Sequence, residues 1–82
     1  MGEQTGDVRI LIEQVAKALV DSPDEVFVER IDGEPTVFEL EVAPDDLGKV
    51  IGRQGRVARA MRALVGAAGI RANKRYEFEI VE

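Results

Sequence analysis

The chain has 82 residues, no cysteine, no histidine and a formal net charge of −5. A chain this short makes one domain that buries roughly 60–65% of its unfolded surface, so a deep catalytic pocket would compete with the core for the same residues. Without cysteine there is no disulfide framework or thiolate metal site, and without histidine the commonest general base and metal ligand are missing; the composition points to a binding surface, with no catalytic residue and no cofactor expected.

Residues 1–6 are polar and glycine-bearing and are expected to form a flexible N-terminus ahead of a single domain over residues 7–82. The opening MGEQTGDVRI has no basic stretch followed by a long apolar run, and no segment reaches the apolar length of a membrane span. A soluble, cytoplasmic protein without a membrane partner is expected. Asp7 is placed to cap a helix in which Val8, Leu11, Ile12, Val15, Ala16, Leu19 and Val20 recur at helical spacing, ending at Asp21-Ser22-Pro23. Glu25–Ile31, rich in Val, Phe and Ile, reads as a strand. The turn Asp32-Gly33-Glu34-Pro35 leads into a second strand, Thr36–Val42, with Phe38, Leu40 and Val42 on one face and Val37, Glu39 and Glu41 on the other.

Pro44, Asp45 and Asp46 open a second helix, since proline suits a first turn and carboxylates favour its positive end. Leu47, Val50 and Ile51 form its apolar side, and Gly52 breaks it. A third helix is predicted from Gly55 to about Ala68, with Val57, Met61, Leu64, Val65 and Ala68 buried and Gly69 placed to end it. Tyr76–Val81 alternates again, with Tyr76, Phe78 and Ile80 on one face. A two-helix crossover returns the chain parallel to the strand it left. The expected fold is therefore α+β, in the order α-β-β-α-α-β, with a three-stranded mixed sheet and the helices packed on one face.

Net charge alone argues against a polyanionic partner, but its distribution reverses that argument. Residues 1–46 carry 3 basic and 13 acidic side chains, whereas residues 47–82 carry 8 basic and 3 acidic, and all 8 of those cations lie between Leu47 and Arg75 with no acid among them. Within that stretch, Gly52-Arg53-Gln54-Gly55 sits between an ending helix and a starting one. Glycines at both ends permit tight backbone angles and close approach of another backbone. The following helix offers unpaired N–H groups and the positive end of its dipole to a phosphate. Arg53 and Arg56 add charge, and Gln54 a neutral donor. Lys49, Arg59 and Arg62 lie around the loop, Arg62 furthest away; Arg56, Arg59 and Arg62 step by three along one side of the third helix, which by itself reads as a solvated face and becomes an equal candidate for binding only with the loop at its head. Two glycines in a turn are a weak signal; the basic insert and the arginine-rich helix behind it make this one specific.

Val50-Ile51-Gly52-Arg53-Gln54-Gly55-Arg56 resembles the signature of the KH domain, whose GxxG loop clamps the backbone of single-stranded RNA. The element order resembles the type II KH fold. From about Asp7 to Val81, and throughout Ala43–Arg56, the chain resembles the small single-domain bacterial KH RNA-binding proteins of the KhpA (YlqC-like) family. The resemblance implies that Gly52, Arg53, Gln54 and Gly55 hold the RNA backbone, with Lys49, Arg56 and Arg59 beside them, and that Val50 and Ile51 help form an apolar groove floor. It also implies low sequence specificity and a role as an RNA chaperone or post-transcriptional regulator. Its implied partners are a second copy, as a homodimer, or a larger KH-containing RNA-binding protein, as a heterodimer.

The remaining acids read as solvated surface that repels RNA from the wrong face, and no metal or small-molecule substrate is expected: no loop gathers the oxygens calcium needs, and the Gly-Lys-Ser/Thr ending of a nucleotide loop is absent. Ala60, Ala63 and Ala67 form a small-residue strip on the third helix that suits either plain helix surface or a close dimer contact. The alternative to RNA binding is a protein-interaction adaptor whose loop is vestigial.

Overall fold

The computed structural model describes residues 4–82, with side chains from Val8 onward. The first three residues of the expected flexible segment, and the side chain of Asp7, lie outside the described residues. The elements run α1 (Gln4–Leu19), β1 (Phe27–Ile31), β2 (Thr36–Glu41), α2 (Leu47–Ile51), α3 (Arg56–Arg71) and β3 (Tyr76–Ile80). This is the α-β-β-α-α-β order of the type II KH fold. α1 begins at Gln4, so Asp7 stands inside the helix instead of ahead of it. Pro23–Glu25 forms a 3₁₀ turn, which delays β1 to Phe27, and Pro44–Asp46 forms another that leads into α2.

The sheet has the order β1-β2-β3, with β1 antiparallel to β2 and β3 parallel to β2. The hairpin turn contains a cis peptide between Glu34 and Pro35. α1 packs against β1 and β2, and α3 against β3. One face of the sheet is therefore covered and the other left open. The covered face supplies Phe38, Leu40, Tyr76 and Phe78; the helices answer with Val8, Ile12, Ala16, Met61 and Val65, all buried. Phe38 and Tyr76 meet edge to face, with ring centroids 5.3 Å apart. The alternation expected in β2 and β3 is what puts these four strand residues on one side.

The apolar sides of the helices are narrower than their spacing suggests. In α1, Leu11 and Leu19 are exposed while Val8, Ile12 and Ala16 are buried. In α3, Ala58, Met61, Val65 and Gly69 point inward and Leu64 is 53% exposed, so Leu64 does not belong to the buried side.

Gly69 does not end α3. A Cβ there would lie 2.9 Å from the Lys74 carbonyl oxygen and 3.0 Å from the Tyr76 nitrogen, so this glycine lets β3 start hard against the helix. The helix ends at Arg71, and the chain turns away at Asn73, whose φ of 60° is left-handed. The Lys74 N–H donates to the Gly69 carbonyl at 2.7 Å and the Asn73 N–H to the Ile70 carbonyl at 3.0 Å, the paired bonds of a Schellman ending.

Candidate functional site

α2 is one turn of helix whose two ends are fixed differently. At its start, Asp46 is 2% exposed. Its carboxylate caps no amide of its own helix. It accepts from the backbone N–H of Asp21 at 3.2 Å and of Ser22 at 3.1 Å, tying the segment after α1 to the start of α2. Burial by itself raises the Asp46 carboxyl, but these two N–H groups and Lys49 outweigh it and hold the group below the ordinary carboxylate range. Lys49 lies 3.7 Å from Asp46 and 3.4 Å from Asp21. The sequence has no carboxylate between Leu47 and Arg75, but two just outside that stretch reach Lys49, Asp46 one helical turn before it and Asp21 brought by the fold. Lys49 is thereby engaged on the α1 side of α2.

At the other end the helix closes with the Gly52 N–H on the Gly48 carbonyl, 2.9 Å. Val50 is 3% exposed and belongs to the core, leaving little surface for a ligand, while Ile51 is half-buried. Gly52 then takes φ 82°, ψ 167°, a region essentially reserved for glycine. A Cβ on Gly52 would come within 2.5 Å of Val57 Cγ2 and 2.8 Å of the Val57 nitrogen. The close approach that this glycine permits is thus first of all that of α3 itself.

Residues 53–55 form a single 3₁₀ turn in which Gln54 (φ 57°, ψ 25°) and Gly55 (φ 74°, ψ 16°) are both left-handed. The Gly55 N–H donates to the Gly52 carbonyl at 3.0 Å and the Arg56 N–H to the Arg53 carbonyl. Two amides expected to be open to a phosphate are therefore satisfied within the loop, and anion capture falls more heavily on side chains. Arg56 Nη2 donates to Gln54 Oε1 at 3.2 Å, and Arg59 Nη1 donates to the Gln54 backbone carbonyl at 2.8 Å. Arg53 is exposed, and among the described residues its side chain has no hydrogen-bond or ion-pair partner.

Arg56, Arg59 and Arg62 all lie on the exposed side of α3. Arg62 also lines an open groove of about 400 Å³ with Tyr76, Glu77, Phe78, Glu79 and Ile80. β3 is an edge strand. Its bonds to β2 use the Arg75 carbonyl and the Val81 N–H. By alternation the backbone groups of Phe78 and Ile80 point away from β2, to the side where the groove lies. The sequence set Arg62 apart because it is furthest from the loop along the chain. Its place on the groove wall depends on how α3 packs on β3, a long-range contact without a local signature.

A family model described as "KhpA/KhpB, KH domain" matches residues 9–80. The chain is 53% identical over 72 residues to the "RNA-binding protein KhpA" of Clostridium acetobutylicum, covering 87% of this chain and 96% of that protein. It is 52% identical over 73 residues to the protein of that name from Aquifex aeolicus, covering 88% and 92%, and 47% identical over 76 residues to that from Halalkalibacterium halodurans, covering 92% and 100%. No solved structure matches the chain.

Proposed function

The chain belongs to the KhpA/KhpB KH-domain family, and from that premise we propose that it binds single-stranded RNA by clamping the sugar-phosphate backbone at Gly52-Arg53-Gln54-Gly55. The observation that carries this reading is the exposed Arg53, whose side chain has no partner among the described residues, beside a Gln54 held by Arg56 and Arg59 at the head of an arginine-lined helix. Relatives close to half identical over nearly their whole length are named RNA-binding proteins. A KH loop engages about four nucleotides. Arg62 and the open edge of β3 line the groove in which the bases would lie, and with so few base contacts the specificity is low. The protein acts as a binding module, without catalysis.

The cellular role we infer is cytoplasmic and post-transcriptional, as an RNA chaperone or regulator. It works as a homodimer or with a larger KH-containing RNA-binding protein. Ala60, Ala63 and Ala67 are all exposed, and Leu64 stands 53% exposed among them, a small-residue surface suited to close helix contact.

Replacing Arg53 and Gln54 together by aspartate reverses the charge of the loop while leaving both glycines in place. Binding to short single-stranded RNA is expected to disappear with the thermal midpoint unchanged; retained affinity would sink the reading. For the wild-type protein, log affinity should fall by roughly 0.7 per unit of log salt for each phosphate engaged. Sedimentation of both proteins in the same series reads the dimer, which the loop substitution should leave intact; a monomer at all concentrations removes the homodimer.

A further inference from the structure

We infer that Arg59 is a positioning residue: its guanidinium sets the shape of the loop through the Gln54 carbonyl and leaves phosphate contact to Arg53. The inference rests on the RNA-binding reading above and assigns different work to the arginines of that site.

Arg59 reaches back five residues, from the first turn of α3, to place Nη1 2.8 Å from the Gln54 carbonyl oxygen. That is the length of a charge-assisted hydrogen bond. The carbonyl it holds belongs to the one non-glycine residue of the loop with a left-handed backbone, φ 57° and ψ 25°. A glutamine adopts that conformation reluctantly and needs its surroundings to hold it there. Gly55, next in the chain, is also left-handed, and a Cβ on it would lie 3.3 Å from the same Nη1. Gly55 therefore serves two ends at once, the backbone angle and the seat of the guanidinium. Arg56 holds the other end of Gln54, its side-chain oxygen, at 3.2 Å. Gln54 is thus fixed by backbone and side chain from α3, while Arg53, its neighbour, is left without a partner among the described residues. A loop held in its bound shape loses less freedom when a ligand arrives, so the bond contributes to affinity without touching RNA.

Contact and positioning separate experimentally because one acts only when RNA is present. The test compares wild type with Arg59→Ala, Arg59→Lys and Arg53→Ala. Amide resonances of Gln54 and Gly55 are recorded in the RNA-free proteins, and affinity for a fluorescein-labelled oligouridine is measured across a salt series. In R59A the two loop amides should shift or broaden before any RNA is added, with the thermal midpoint held. Affinity should fall about five- to tenfold, within the net worth of one ordinary hydrogen bond because this one is solvent-exposed, with the salt slope unchanged. R59K, which can still donate to the carbonyl, should restore both the loop spectrum and most of the affinity. R53A should instead leave the free loop as it is and lower the slope by roughly 0.7, one phosphate's share. An unchanged loop spectrum in R59A, or a slope that falls as in R53A, overturns the inference. Failure of the wild type to bind oligouridine or any other single-stranded RNA would overturn the RNA reading itself, whatever the loop spectra show.

Discussion

The loop side of the molecule and the open face of the sheet are both exposed and both charged, but they handle their charges in opposite ways. On the loop side the cations are given individual tasks. Lys49 is paired with Asp21 and Asp46, Arg56 and Arg59 brace Gln54, and the side chain of Arg53 has no partner among the described residues. On the sheet face the acids are massed. Glu29 stands opposite Glu39 across the antiparallel pair and Glu39 beside Glu79 across the parallel one, a row of three carboxylates, with Glu41 and Glu77 on the same face. Among the described residues only Glu77 of these five has an ion pair, with Arg75 at 3.6 Å. Like charges facing one another across strands cost stability. The contrast teaches that the basic side is a built site and the acidic side a field: one depends on which atom each cation touches, the other only on sign.

Breaking the built side should have the largest effect. Gly52→Ala puts a Cβ into Val57 and forces a residue with a side chain into a glycine-only backbone region. We expect a cost of about 1–3 kcal/mol in stability, seen in denaturant unfolding, and roughly tenfold or greater loss of RNA affinity. An affinity within twofold of wild type would show that the loop tolerates displacement from α3. Asp46→Asn comes next, because it keeps the shape of the anchor and removes its charge. The Asp46 carboxyl is held below its ordinary 3.8 in the folded protein. Its contribution is therefore fully present above the unfolded value and is lost as pH falls through the lower, folded value. The variant should unfold at lower temperature than wild type at neutral pH, and the gap should close in strong acid; midpoints recorded down a pH series read this directly, and a gap independent of pH would mean that the charge is immaterial. The smallest effect belongs to the field. Glu39→Gln removes the middle carboxylate of the row, and relief of two like-charge contacts should stabilise the fold by about 0.2–1 kcal/mol. RNA affinity at physiological salt should stay within about twofold, measured in the same titration; a larger gain would mean that the sheet face reaches the site.

How much of this could be read in the sequence follows from how local each cause is. Alternation in β2 and β3 and the two-helix crossover are short-range patterns, and they carried the core residues Phe38, Leu40, Tyr76 and Phe78 and the parallel pairing of β3. The loop was legible as glycines and charge. Its bracing was not, because the bond from Arg59 to Gln54 depends on a left-handed glutamine that no spacing announces. Lys49 was read as free for a ligand because Asp21 reaches it across a fold contact and the local i,i+3 pair with Asp46 was passed over, and Gly69 was read as a stop because a glycine late in a helix usually is one. Leu64 fits the helical period and still faces solvent, since α3 rests on an edge strand that covers only a narrow stripe of it.

The segregation of charge also decides what a polyanion senses at a distance. The molecule measures 35 × 25 × 19 Å, and at physiological ionic strength a charge is screened within about 8 Å. An RNA strand approaching the loop then feels the arginines and not the carboxylates behind the sheet. When salt is lowered toward 0.01 M the screening length grows to about 30 Å, comparable with the whole protein, and the net charge of −5 comes into view. Binding should tighten as salt falls and then level off, the point of levelling marking where the strand begins to sense the whole molecule as an anion.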